Sequence, residues 1–276
     1  MAVKCIALDL DRTTLNRDGI LSEENKKAIE YALKQGVHIV VASGRAFHTL
    51  PEDVLKIQGI EYAITSNGTA IYHVPTRTCI HQYKLEEPSI RKIMELSKSD
   101  KVTYEAFIDG EAFADSTYID HPEIFGADEH AINYIKETRH LVKDIEAFLF
   151  EHIKEIDCMD IIMNDPPRKK VLVKQLKEEV GNIYVTSSIE QLIEISNDQA
   201  GKHSGVKFIM DLLGLKQEEI AAFGDGDNDV DMLKFVGTGI AVENASVQCK
   251  EAADMVTKHH DEDGVAYGIY QLLKII

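Results

Sequence analysis

The sequence predicts an α/β protein: a parallel-sheet core with helices on both faces, built from the two ends of the chain, and an α+β unit inserted between them. Three observations carry this reading. Short apolar runs of strand type alternate with helical stripes in residues 3–65 and again in residues 203–276. The stretch between mixes hairpin signals with helices instead. No internal repeat and no low-complexity linker interrupts either part. A chain of 276 residues makes one large domain or two ordinary ones, and needs no disulfide or metal staple to fold.

The elements follow in order. Residues 3–8 are a short apolar run that reads as a buried strand, and residues 9–19 are a loop. Ser22 is placed to cap a helix, with Glu23 and Glu24 in the first turn where they suit the helix dipole. Ala28, Ile29, Ala32 and Leu33 form its stripe and Gly36 closes it. Residues 37–42 and 62–65 read as strands. In the middle, strands at 104–107 and 112–114 flank the turn Asp109-Gly110. Helical periodicity marks residues 90–96, 132–150 and 171–180; strands are expected at 158–163, 183–186 and 192–195. Residues 203–213 form a helix ended by Gly214, followed by strands at 220–223, 239–242 and 255–256 with helices at 232–235, 247–253 and from 265 onward. The expected division is a core of 1–83 and 191–276 around an inserted unit of 84–190. Its two crossings allow a hinge.

Composition narrows the function. Forty-seven acidic against 30 basic residues give a net charge of −17, so nucleic acid and anionic membrane surfaces are not expected partners. Arg168-Lys169-Lys170 reads as a solvated face. The four cysteines form no CxxC pair, and Cys5 and Cys158 lie in apolar runs as core thiols. The N-terminus has no basic region or cleavage signal, and no apolar run approaches the ~18 residues that span a bilayer. A reduced, cytoplasmic protein is expected.

In open α/β sheets ligands bind beyond the carboxyl ends of the strands. The first strand delivers Asp9-Leu10-Asp11-Arg12-Thr13 there, the second Ser43-Gly44-Arg45, the third Ser66-Asn67-Gly68, and the strand at 220–223 delivers Gly224-Asp225-Gly226-Asp227-Asn228-Asp229. Two acidic clusters brought together repel, and a hard divalent cation with oxygen ligands, Mg²⁺ above all, offsets that. Such a cation holds a phosphoryl group and neutralises its charge, and a strand-end carboxylate is then positioned to attack it. Ser43, Gly44 and a lysine suit the remaining phosphate oxygens, and Lys202, opening a helix, is the leading candidate. Other motifs fail: Ala200-Gly201-Lys202-His203-Ser204 lacks the Walker A pattern, Gly224-x-Gly226 has Asp229 in place of its third glycine, and the aspartates after Gly224 have Val230 where a calcium loop needs Gly. No HExxH is present, and His259-His260 reads as surface.

Asp9-x-Asp11-x-Thr13, Ser43-Gly44-Arg45, Lys202 and Gly224-Asp225-x-x-Asn228-Asp229 resemble the four ordered motifs of the haloacid dehalogenase-like phosphatases. Gly239-Ile240-Ala241-Val242, Asn244-Ala245, Ala253-Asp254 and Glu262-Asp263-Gly264-Val265-Ala266 are similar to the Cof-type subfamily. The resemblance implies a Rossmann-like core with an α/β cap in the middle. It implies Asp9 as nucleophile and Mg²⁺ ligand, and Asp11 as general acid and base that also binds Mg²⁺ through its backbone carbonyl. Asp225 is the third protein ligand and Asp229 supports the metal site from behind. Ser43, Lys202, Asn228 and backbone groups of Leu10 and Gly44 hold phosphate, while Arg45 and Asn67 shape the pocket. One residue departs from the pattern: Arg12 stands where the family usually has Gly, a residue freer in backbone conformation, and an Arg there reaches for a second anionic group or points to solvent. The implied activity is Mg²⁺-dependent hydrolysis of a small phosphorylated metabolite, a sugar phosphate or phosphorylated cofactor, through an aspartyl phosphate. A phosphomutase and a non-catalytic phosphate-sensing module stay open as alternatives, and the sequence does not reveal the oligomeric state.

Overall fold

A computed structural model of the chain describes residues 2–127 and 129–274. Its strands, in chain order, begin with β1 (Cys5–Leu8), β2 (His38–Ala42), β3 (Tyr62–Thr65), β4 (Ala70–His73) and β5 (Thr78–Gln82). Next come β6 (Thr103–Ile108), β7 (Glu111–Asp115), β8 (Arg139–Val142), β9 (Cys158–Ile162), β10 (Ile183–Thr186) and β11 (Leu192–Asn197). The last are β12 (Ile220–Gly224), β13 (Thr238–Ala241) and β14 (Met255–Val256). The chain divides into two compact units. One takes the chain up to Arg45, Leu50–His81 and the chain from Gly201 onward; the other takes Ala46–Thr49 and Gln82–Ala200.

The first unit is an eight-stranded sheet in the order β14-β13-β12-β1-β2-β3-β4-β5. From β14 through β3 every pairing is parallel, and β4 turns back antiparallel on β3. Strands buried on both faces explain the unbroken apolar runs. Cys5, Ala7, Val40, Ala42 and Ala222 pack with Val206, Ile209, Met232, Leu233 and Cys249 of the helices Lys202–Leu213, Val230–Phe235 and Val247–Ala252. The alternate residues Ile6, Leu8, Ile39 and Val41 are also buried, and the helices Glu23–Lys34 and Gly264–Leu272 pack on each other. Ser22 caps the first helix as its sequence implies, accepting from the Asn25 N–H. The fold class is that expected: a parallel-rich sheet between helices, with an inserted α+β unit.

The second unit holds a six-stranded sheet ordered β10-β11-β9-β6-β7-β8, antiparallel throughout except for the parallel pair β7 and β8. The helices Glu87–Ser97, Ile145–Glu151 and Pro166–Glu179 supply Ile90, Ile93, Leu149, Leu172 and Leu176 to a core shared with Tyr104, Met159, Ile161 and Ile193. Two expectations change here. The helical stretch 132–150 is interrupted: a helix Glu129–Thr138 gives way to strand β8, and the helix Ile145–Glu151 starts afresh. The break is fixed by pairing and capping. Arg139 lies opposite Ala112 on β7 and its guanidinium bonds the buried Glu105, while the Asp144 side chain accepts from the Ala147 N–H. Second, Leu192–Asn197, which the expected division gave to the core segment 191–276, pairs with β9 and β10 in this sheet.

Candidate active site

The strand order sets β12, β1, β2 and β3 side by side and parallel. Their carboxyl ends therefore deliver the polar clusters to one edge of the first unit. Asp9 follows β1 directly, in extended backbone, and its N–H bonds the Phe223 carbonyl of β12. This holds the side chain at the sheet's end, with the residue only 5% exposed. Asp225 and Asp229 lie beyond β12. Lys202 opens the helix Lys202–Leu213, and its side chain is fully buried.

One ammonium joins these clusters. Lys202 Nζ donates to Asp9 Oδ1 at 2.6 Å and to Asp229 Oδ1 at 2.7 Å. The other Asp229 oxygen accepts from the N–H groups of Asp225 and Gly226 at 2.9 and 3.0 Å, so both its oxygens are engaged by the protein. Gly224 has to be glycine for this packing, since a Cβ there would meet the Asp229 side chain at 2.5 Å. Asp225 Oδ1 accepts from the Thr13 hydroxyl at 3.2 Å, and Oδ2 faces Arg12 Nε at 3.9 Å.

Charge is under-compensated. Burial pushes the Asp9 carboxyl well above the usual carboxylate range; Asp229 adds to the shift and Lys202 opposes it. Burial, then Asp229, pushes Asp225 up to about 7 despite Arg12 and Lys202. Burial works against the charge on Lys202, but Asp229 and Asp9 more than offset it and hold the ammonium above its ordinary value. Oxygens of Asp9, Asp225 and Asp229 all lie within 4.8 Å of one another. A set of hard oxygen donors with surplus negative charge fits a divalent cation. Since Asp229 is taken up by Lys202 and two N–H groups, Asp9 and Asp225 are the carboxylates left to hold it.

The other expected residues fall as follows. Ser43 stands just past β2, fully buried; its hydroxyl accepts from the Arg45 N–H at 3.1 Å. Gly44 is half-buried beside it, and Leu10 is buried in the turn after Asp9. Asn228 is buried and its amide donates to Asn67 Oδ1 at 3.0 Å. Asn67 lies in the tight turn Ser66–Gly68, where all three residues take positive φ and a Cβ on Gly68 would collide with the Gly201 carbonyl at 2.1 Å. The loop that precedes Lys202 is thus seated against the turn after β3. Asp11 does not join the buried carboxylates: its half-exposed side chain is gripped by Arg45, whose Nε and Nη2 donate to its two oxygens at 2.8 and 2.5 Å.

Some contacts escaped the sequence reading. The Thr13 hydroxyl on Asp225, the Thr14 hydroxyl on the Asp9 carbonyl at 2.5 Å, and the Asn244 amide on the Arg12 carbonyl at 2.8 Å were not expected. Arg12 takes φ 58°, ψ 13°, the left-handed region where an L-residue with a Cβ is strained. Glycine takes this conformation freely.

Comparison with known proteins identifies the family. A family model described as haloacid dehalogenase-like hydrolase matches residues 6–269. The chain is 30% identical to a 5-amino-6-(5-phospho-D-ribitylamino)uracil phosphatase, YwtE, of Bacillus subtilis (strain 168), with 98% of each chain covered. A solved haloacid dehalogenase-like hydrolase from B. subtilis superposes with a TM-score of 0.83 at 26% identity, covering 99% of this chain and 100% of that one. A subclass IIB sugar phosphatase has the same fold, with a TM-score of 0.83 at 21% identity over 99% of this chain and 100% of the other. The chain belongs to the haloacid dehalogenase-like hydrolases, in their Cof-type phosphatase subfamily.

Proposed function

We propose that the protein is a Mg²⁺-dependent phosphatase that hydrolyses a small phosphorylated metabolite through an aspartyl phosphate on Asp9. The observation that carries this reading is the buried Asp9–Lys202–Asp229 bridge beside Asp225, at the ends of adjacent parallel strands. Lys202 fixes the Asp9 carboxylate in one orientation and lends its positive charge to the incoming phosphoryl oxygens. Asp9 attacks phosphorus in line and the bond to the leaving oxygen breaks. Asp11 gives its proton to that oxygen, which requires parting from Arg45. It then takes a proton from the water that attacks the aspartyl phosphate, returning Asp9 and releasing inorganic phosphate. The Ser43 hydroxyl, the Asn228 amide and the N–H groups of Leu10 and Gly44 hold the transferring oxygens. Mg²⁺, held by Asp9, Asp225 and the Asp11 carbonyl, supplies charge neutralisation at the phosphoryl group when bound.

The substrate class is supported by the relatives. The substrate in the YwtE name carries a phosphorylated ribityl chain, so a sugar phosphate, polyol phosphate or phosphorylated cofactor is the expected class here. Phosphate release from a panel of such compounds, with Mg²⁺ present and with it chelated, tests the proposal. Metal-dependent release from one compound class is the expected result. Absence of release from every compound would overturn it. Return of the phosphoryl group to another hydroxyl would make the protein a mutase instead.

A further inference from the structure

Arg12 is the residue that most needs an account. Its backbone is left-handed, a conformation glycine takes freely and arginine resists. Yet the position is tightly fixed. The Asn244 amide holds the Arg12 carbonyl, and the Asn244 side-chain oxygen in turn accepts from the His260 N–H at 3.0 Å. His260 is itself tied through Nδ1 to the Leu15 carbonyl at 2.9 Å, at the far end of the same loop. The next residue, Thr13, binds Oδ1 of Asp225. These contacts fix the Arg12 backbone; its side chain is 58% exposed, and Asp225 is its charged partner among the described residues.

Which Asp225 oxygen it faces matters. Oδ1 is engaged by Thr13; Oδ2, the oxygen left for a cation, is the one 3.9 Å from Arg12 Nε. That spacing is too long for a hydrogen bond and short enough for charge attraction. A divalent ion and the guanidinium thus call on the same oxygen.

We propose that Arg12 is a resident counter-ion of the metal site, which a divalent cation must displace from Asp225, so that this arginine raises the Mg²⁺ concentration the site requires. The proposal rests on the reading of Asp225 as a metal ligand. It assigns a purpose to an arginine at a strained position: a glycine there leaves Asp225 open to the metal, whereas arginine makes occupancy a competition.

The test is Mg²⁺ binding measured by isothermal titration calorimetry, with no substrate, at low and at high ionic strength. Arg12→Gln keeps a side chain at the left-handed backbone position and removes the charge. Arg12→Lys keeps a charge, and Arg12→Gly removes both charge and strain. At low ionic strength Arg12→Gln and Arg12→Gly should bind Mg²⁺ about fivefold tighter than the parent, the scale of one exposed charge interaction. Arg12→Lys should stay near the parent, and the differences should shrink at high salt. Equal affinity in Arg12→Gln and the parent overturns the proposal, as does tightening in Arg12→Gly alone, which would assign the effect to the backbone. Absence of Mg²⁺ binding in every protein, parent included, overturns the metal reading along with it.

Discussion

One ammonium stands between two buried carboxylates at 2.6 and 2.7 Å, with a third carboxylate alongside. Removing one member of such a set leaves charge buried without a partner, which costs about 3–5 kcal/mol. Lys202→Met, which nearly preserves volume, should therefore lose about that much stability in urea denaturation near neutral pH, and should lose turnover. Adding Asp9→Asn should restore part of the stability and none of the activity; wild-type stability in Lys202→Met would contradict the account. These residues were legible because each sits in a local cluster at a strand or helix end. Their supports were not. The Arg45 grip on Asp11, the Thr13 hydroxyl on Asp225 and the Asn244 hold on Arg12 span 34, 212 and 232 residues of sequence. They depend on how loops turn, which no periodicity records.

At the scale of elements, the second sheet carries a row of acids. Glu194 on β11 lies opposite Asp160 on β9, which lies opposite Glu105 on β6. Arg139 bonds Glu105 from β8. Burial first, then Glu194 and Glu105, hold the Asp160 carboxyl well above its ordinary value, with Arg139 only partly offsetting them. A carboxyl whose pKa is raised on folding contributes stability below its unfolded value and loses it as pH rises through the folded value. Asp160→Asn, which mimics the protonated acid, should thus raise the melting temperature at pH 8 and leave it little changed near pH 4. The gain at pH 8 should be on the order of 2 kcal/mol; an equal shift at both values would contradict the electrostatic cause. The strands of this row were readable from their apolar neighbours. Strand β8 was not, because four residues between two helical stripes carry too short a pattern to separate strand from helix. Strand β5, with its polar Thr-Cys-Ile-His-Gln composition and partial exposure, gave no alternation to read either.

For the whole molecule, topology does what no single element can. The order β12-β1-β2-β3 brings residues from both ends of the chain to one edge, so Asp9 meets Asp225 and Asp229. The chain re-enters the first unit at Gly201, one residue before Lys202. That core was legible because parallel, doubly covered strands read as plain apolar runs ending in polar clusters. The inserted unit was legible as a class and less so in its limits, since its last strand, β11, is buried almost throughout, like the core strand β12 that follows it. The functional claim depends on this convergence: chemistry at Asp9, assisted by a cation at Asp225. The most direct test measures phosphate release by the parent protein and by Asp9→Asn, each with Mg²⁺ and with the metal chelated. Turnover is expected only in the parent with Mg²⁺, with near-complete loss in the other three conditions. Substantial release by Asp9→Asn, or by the parent without metal, would contradict it.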